Sequence, residues 1–318
     1  MSDVVAETDP DAPAAPGAGT RGGVALVVNP VKAGDVDLLA ATVAERCAAH
    51  GLPAPTVLRT SQEDPGQGPA RQAVEDGAGL VLAAGGDGTV RAVAEALTGT
   101  GTALGVLPLG TGNLMARNLG LPTDLDEAIE VALTGRDRTI DVGRLDDGTV
   151  FAIMAGAGFD AAMMREAPEG LKARVGWPAY LVGGVRSLWR DRVSVTIRLD
   201  DATPIHARVR TVMIGNLGKL QGGLELLPDA EPDDGVLDVA VVCPRSAADW
   251  AVLIGRAVRR RPRTDHRMQT YRGARIDVRM SRPQPRQVDG DLIASGTRLS
   301  ATVEPGALVV RVPQEVAP

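Results

Sequence analysis

Leu80-Val81-Leu82-Ala83-Ala84-Gly85-Gly86-Asp87-Gly88-Thr89 is the stretch that decides the fold. Five apolar residues of strand length run into a glycine-rich turn, and an Ala-rich helical stretch over 90–97 follows directly. A strand without polar alternation is buried on both faces, and one that feeds a helix is half of a strand-helix-strand unit. Outward from it the same grammar repeats. Strands are expected at 24–28, 56–59, 80–84 and 103–107, with helices at 36–50 (stopped by Gly51), 69–75, 90–97 and 124–133. Such alternation predicts a Rossmann-like three-layer α/β domain, a parallel sheet with helices on both faces, over residues 22–137. Ligands of that architecture bind just beyond the carboxyl ends of the strands.

After about residue 137 the pattern changes to short strands, at 139–142, 150–155, 193–199, 205–214, 236–242, 275–278 and 299–303, with 309–312 as a further candidate. Two helices interrupt them, near 172–190 and 247–260. A second, mainly antiparallel β domain over 138–318 is the economical reading. Residues 1–20 hold Pro10, Pro13 and Pro16 among Ala, Gly and Asp, without periodicity, and are expected to form a disordered tail.

Composition excludes several function classes. Two Phe, two Tyr and three Trp among 318 residues, with a net charge of −6, leave no stacking platform for single-stranded nucleic acid. Cys47, Cys243, His50, His206 and His266 are scattered, so neither a disulfide framework nor a Cys/His zinc site is supported. Any metal is expected on oxygen ligands. No run approaches the roughly 18 apolar residues of a membrane span, and no signal peptide is evident at the N-terminus; the expected location is cytoplasmic, with at most peripheral membrane contact.

Two loops carry the chemistry. In Gly85-Gly86-Asp87-Gly88-Thr89 the glycines allow close approach to a charged ligand, while Thr89 and the start of the helix offer donors and a positive dipole end. A carboxylate in such a loop suits magnesium bridging nucleotide phosphates. Gly110-Thr111-Gly112-Asn113, one strand later, offers two more glycines, a hydroxyl and an amide. Neither loop has Walker or dinucleotide-fingerprint spacing. Glu231, Asp233, Asp234 and Asp238, crowded beside Gly235, suit a hard cation or a solvated hairpin.

With Asn29-Pro30, Asp141-Val142-Gly143, Gly156-Ala157-Gly158-Phe159-Asp160, 228–238 and Val288-Asp289-Gly290-Asp291 added in order, the chain from about residue 22 closely resembles the bacterial diacylglycerol kinase catalytic-domain family. These are lipid kinases related to sphingosine kinases and, more distantly, NAD kinases. The resemblance implies a nucleotide-binding α/β domain followed by an antiparallel β-sandwich, with the active site between them and the last strand a candidate to return to the first domain. It implies ATP- and Mg2+-dependent transfer of the γ-phosphoryl group to a lipid hydroxyl, first of all that of diacylglycerol.

By the same resemblance, nucleotide contacts fall on Asn29, Thr60, Gly85, Gly86, Gly88, Thr89, Gly110, Thr111 and Asn113. Asp87 organises magnesium, Asp233, Asp234 and Asp238 bind or support a structural magnesium ion, and Asp291 is the general base. Asp291 stands where relatives more often carry Glu, which is one methylene longer, and Arg91-Ala92 replaces a frequent Asn-Glu; Arg91 is read as solvent-facing. The implied partner is a lipid at a membrane surface, met through the basic, Trp-bearing segments 172–192 and 247–263. A homodimer is an open alternative. An NAD kinase-like enzyme and a non-catalytic nucleotide-binding regulator are the competing readings.

Overall fold

The computed structural model describes residues 22–158, 192–220, 225–246 and 267–314, together with Asp249, Val252, Leu253, Gly255 and Asp265. The expected tail at 1–20 and the helix at 172–190 lie outside the described residues, as does most of the helix at 247–260.

The first half alternates as the sequence predicts. Strands β1 (Gly23–Val28), β2 (Thr56–Arg59), β3 (Ala78–Gly85) and β4 (Ala103–Pro108) lie side by side in the order β4-β3-β1-β2, all parallel. Their side chains alternate between two cores. Ala25, Val27, Val81, Ala83, Leu104 and Val106 face α3 (Gln67–Glu75) and α4 (Asp87–Leu97). Val24, Leu26, Val28, Leu80, Leu82 and Ala84 face α2 (Val36–Ala49) and α6 (Leu125–Thr134). Period-two alternation over two apolar faces makes the strands read as unbroken apolar runs. Asp35 and Asp124 start α2 and α6 by accepting the backbone N–H of Leu38 and Glu127 at 2.9 and 3.2 Å. Two short helices were not expected, α1 (Pro30–Ala33) and α5 (Leu114–Leu119).

The second half is an antiparallel sandwich built from β5 (Arg136–Leu145), β6 (Val150–Phe151), β7 (Met154–Ala157), β8 (Val193–Leu199), β9 (Ile205–Val209), β10 (Thr211–Gly215), β11 (Leu237–Val242), β12 (Met268–Gly273), β13 (Arg275–Val288) and β14 (Asp291–Val312). One layer runs β12-β11-β10-β7 and reaches the C-terminal part of β13, whose N-terminal part pairs with β8 instead. Between its faces lie Phe151, Val195, Ile197, Val212, Ile214, Val239, Val241, Ile276 and Val278. The expected boundary at 137/138 falls inside β5.

Two strands join the halves. β14 leaves the hairpin with β13, pairs with β5 along its length, and ends parallel to β4 with Val309 and Val310 opposite Ala103 and Leu104. At the junction Asp141 of β5 is buried, its two oxygens accepting the N–H groups of Gly235 and Gly306 at 2.7 Å each. It thereby pins the acidic loop and the irregular middle of β14 to one point.

Candidate functional site

The strand order turns at β1/β3, where one crossover leads out to β2 and the next returns to the other side, and this is where a doubly wound sheet opens a crevice. Asn29 leaves β1 at that point. Its side-chain Oδ1 accepts the N–H groups of Val31 and Lys32, capping α1, and its Nδ2 donates to Thr89 Oγ1 at 3.3 Å. Thr60 ends β2 beside it, buried, with its N–H on the Val28 carbonyl.

The two glycine loops meet backbone to backbone. A Cβ on Gly110 would stand 2.8 Å from the Gly86 Cα, and one on Gly85 would strike the Thr89 side chain at 2.5 Å. Lys32 Cε passes about 4 Å from the corresponding position on Gly86. Gly86 is the N-cap of α4 and supplies no side chain to cap it, so Asp87, Gly88 and Thr89 begin the helix at an open N-terminus. Thr111 is exposed at the tip of the second loop, and Asn113 turns its own loop by accepting the Gly110 N–H on Oδ1 at 3.1 Å. Asn113 itself is left-handed, at φ 48°.

Asp87 reaches from α4 to the start of α5, accepting the Leu114 N–H at 2.6 Å and the Asn113 N–H at 3.1 Å. Burial pushes its carboxyl up; those two N–H groups pull it down, and the Asp291 carboxylate across the junction pushes it up again. Asp87 and Asp291, from different halves of the chain, therefore lie close enough for their charges to interact.

Asp291 owes its place to a tight hairpin. β13 ends at Val288 and β14 begins at Asp291, with Asp289 (φ 47°) and Gly290 (φ 97°) between them. Positive φ at both residues is what a primed two-residue turn demands, and Asp-Gly suits it. Asp289 is buried and accepts three backbone N–H groups, those of Ala152, Ile153 and Met154, at 2.7–3.0 Å. It locks the hairpin onto the start of β7 and the two residues that lead into it.

Burial nonetheless raises the Asp289 carboxyl to about 6, against the opposing N–H groups and Arg91. Its folded-state affinity for a proton then exceeds that of the unfolded chain. Stability contributed by this group falls as pH rises from about 4 to about 6 and is level above, by on the order of 2–3 kcal/mol. Urea denaturation of wild type and Asp289→Asn at pH 4.5 and 7.5 isolates it, and wild type should lose ground to the variant at the higher pH.

The acidic loop is differently engaged. Arg138 donates to both oxygens of Asp233, at 2.9 and 3.1 Å. Arg272 pairs with Asp234 and lies 3.2 Å from Asp238 Oδ1, while the buried Oδ2 of Asp238 has no hydrogen-bond partner among the described residues. Among the described residues no three His, Cys, Asp or Glu side chains form a cation cage. Asp233, Asp234 and Asp238 are thus shared out between arginines rather than gathered as one ligand set.

Of the residues singled out in the sequence, the structure brings Asn29, Gly85, Gly86, Asp87, Thr89, Gly110 and Asn113 together, with the charge of Asp291 within reach of Asp87. Arg91 corrects the reading of a solvent-facing side chain: its Nε and Nη2 lie 2.9 and 2.8 Å from Asp291 Oδ2. Asp141 and Asp289 were legible only as motif letters; their structural part shows once the N–H groups they accept are in place.

The comparisons agree with the two-part fold. Residues 23–145 match the family model of the diacylglycerol kinase catalytic domain, and residues 153–312 that of the YegS C-terminal NAD kinase beta sandwich-like domain. The chain is 38% identical over 174 residues to the "Probable lipid kinase YegS-like" of Klebsiella pneumoniae (strain 342), across 51% of this chain and 55% of that protein. In this match it spans about half the relative's length. A Cronobacter sakazakii protein of the same name is 32% identical over 253 residues, 77% of this chain and 81% of that one. Among solved structures, a diacylglycerol kinase from Bacillus anthracis str. Sterne superposes with TM-score 0.72 at 21% identity, covering 93% of this chain and 98% of that one. An NAD kinase from Archaeoglobus fulgidus in complex with ATP gives TM-score 0.52 at 10% identity, over 92% and 94%. At such identities these two likenesses show the fold alone.

Proposed function

The chain belongs to the diacylglycerol kinase catalytic-domain family, and from that premise we propose that it is a lipid kinase moving the γ-phosphoryl group of ATP to a lipid hydroxyl, first of all that of diacylglycerol. The observation that carries the reading is the pair of touching glycine loops, with Asp87 bridging them to the start of α5 and the Asp291 carboxylate of the other half close enough for its charge to be felt there.

In this reading the loops take the nucleotide phosphates. Gly86 and Gly110 leave a cradle that a side chain would fill, and the open N-terminus of α4 offers N–H groups to an anion. Asn29 and Thr89 hold the first loop in place. A divalent cation fits beside Asp87, where burial and a second carboxylate disfavour uncompensated negative charge, and magnesium bound there would supply charge neutralisation for the phosphates. The arginine-paired acidic loop does not fit a second, three-carboxylate site, and no step is assigned to it. Asp291 accepts the proton of the lipid hydroxyl as that oxygen attacks the γ-phosphorus in line.

No helix among the described residues is long and apolar enough to cross a membrane. A bilayer substrate is therefore approached from its surface in this proposal, with the basic segments 172–192 and 247–263 as the candidate contact.

Gly110→Ala should force the two loops apart and weaken ATP binding at least about tenfold, because the new methyl meets the Gly86 backbone rather than a yielding side chain. Calorimetric titration with the nucleotide checks this. The test of the function itself is transfer of γ-labelled phosphate from Mg-ATP to diacylglycerol, sphingosine, phosphatidylglycerol and NAD in mixed micelles. Label in diacylglycerol supports the proposal. Label only in another lipid revises the acceptor, label only in NAD overturns the lipid reading, and no label anywhere overturns the kinase reading.

A further inference from the structure

We propose that Arg91 is a positioning residue that fixes the carboxylate of Asp291 for its work as base; the proposal rests on the kinase reading above. Arg91 lies one helical turn beyond Asp87 on α4, so both side chains rise from the same face. Its side chain is 19% exposed and that of Asp291 is 52% exposed, which makes the arginine the anchored partner of the pair.

The contact geometry is one-sided. Nε and Nη2 both address Oδ2 of Asp291, at 2.9 and 2.8 Å. A fork closed on one oxygen fixes the position of Oδ2 and leaves Oδ1 to accept a proton. The other end of the guanidinium is held as well: Nη1 lies 3.8 Å from Glu95 Oε2, which also accepts a hydrogen bond from Gln67 Nε2 at 3.2 Å. A chain of polar contacts, Gln67 to Glu95 to Arg91 to Asp291, thus runs from α3 through α4 to the hairpin.

This arrangement answers the reach of Asp291. Aspartate has one methylene less than glutamate and here sits at the half-exposed end of a two-residue turn, where a free side chain would spread over several rotamers. Reacting groups must be held within a fraction of an ångström to keep the advantage of proximity. The same cation pairs with Asp291 and also favours the charged form of the buried Asp289.

The test is a double-mutant cycle in the full chain. Arg91→Met should lower kcat for lipid phosphorylation roughly 10- to 100-fold while the KM and calorimetric Kd for ATP stay within about twofold. Arg91→Lys, which keeps the charge without the fork, should recover part of the rate yet remain about fivefold or more below wild type. In the Asp291→Asn background, adding Arg91→Met should cost no more than about twofold, because the group it positions is gone. Wild-type kcat in Arg91→Met or Arg91→Lys, full multiplication of the losses in the double variant, or a loss of ATP affinity matching the loss of rate would each overturn the proposal. Should Arg91→Met not fold, the lysine variant alone decides. Absence of transfer by the wild type overturns the kinase reading and this one with it, a result distinct from any of the others.

Discussion

Asp87→Asn is expected to lower phosphoryl transfer by about three orders of magnitude or more. The side chain combines two tasks, and the variant separates them. As a carboxylate it places negative charge where a cation would be needed, beside a second carboxylate and at the mouth of the glycine cradle. As an acceptor it takes the Asn113 and Leu114 N–H groups at the start of α5. Asparagine keeps one acceptor and turns an amide against the other N–H, so a stability loss of about 1 kcal/mol accompanies the change. Thermal unfolding followed by circular dichroism measures that part. A protein folded at the assay temperature yet inactive assigns the loss to the charge, and full activity would remove the role given to this loop.

Asp291→Asn should reduce kcat about 10²- to 10⁴-fold, with the KM for ATP changed little. Its carboxylate is half-exposed, and its described contacts are to Arg91, so the fold is expected to tolerate the change. Two residues earlier the same substitution acts differently: Asp289 is buried on three N–H groups, and its loss reports in stability. The contrast within one turn is a control, since steady-state kinetics and urea denaturation should rank the two variants in opposite order. Equal loss of kcat and of ATP affinity in Asp291→Asn would make it a structural residue instead.

The parallel sheet was legible because each of its strands is locally complete: β3 is apolar on both faces and ends in its own glycine turn. The sandwich was harder. The run 205–214 reads as one strand, yet the chain divides at Arg210 so that β9 can pair with β8 and β10 with β7 and β11. Conversely, 275–278 reads as a short strand because Pro283 and Pro285 follow, while β13 continues to Val288 by shifting register and changing partners from β8 to β7. β14 likewise runs through Pro305 and Gly306, where β5 supplies a partner on either side of the irregularity. Pairing with residues from tens to more than a hundred positions away leaves no local trace.

The site follows the same division. Glycine loops announce themselves locally, and Asp87 was identified from its neighbours in sequence. Arg91 looked like an ordinary helix-surface residue because its partner lies 200 positions on. The arginine partners of the acidic loop left no local sign either: clustered acids suggest a cation, and the pairing with Arg138 and Arg272 shows only in the fold.

The return of β14 to β4 has a consequence for synthesis on the ribosome. Residues 22–108 contain strands β1 to β4, but among the described residues the flank of β4 is covered only by Val309 and Val310. While the intervening two hundred residues are being made, the nascent first domain presents an apolar, unpaired β4 edge to its surroundings. Completion of that sheet edge therefore waits on a strand made some two hundred residues later, and a stop codon shortly before residue 309 should be as damaging to the N-terminal half as to the C-terminal one.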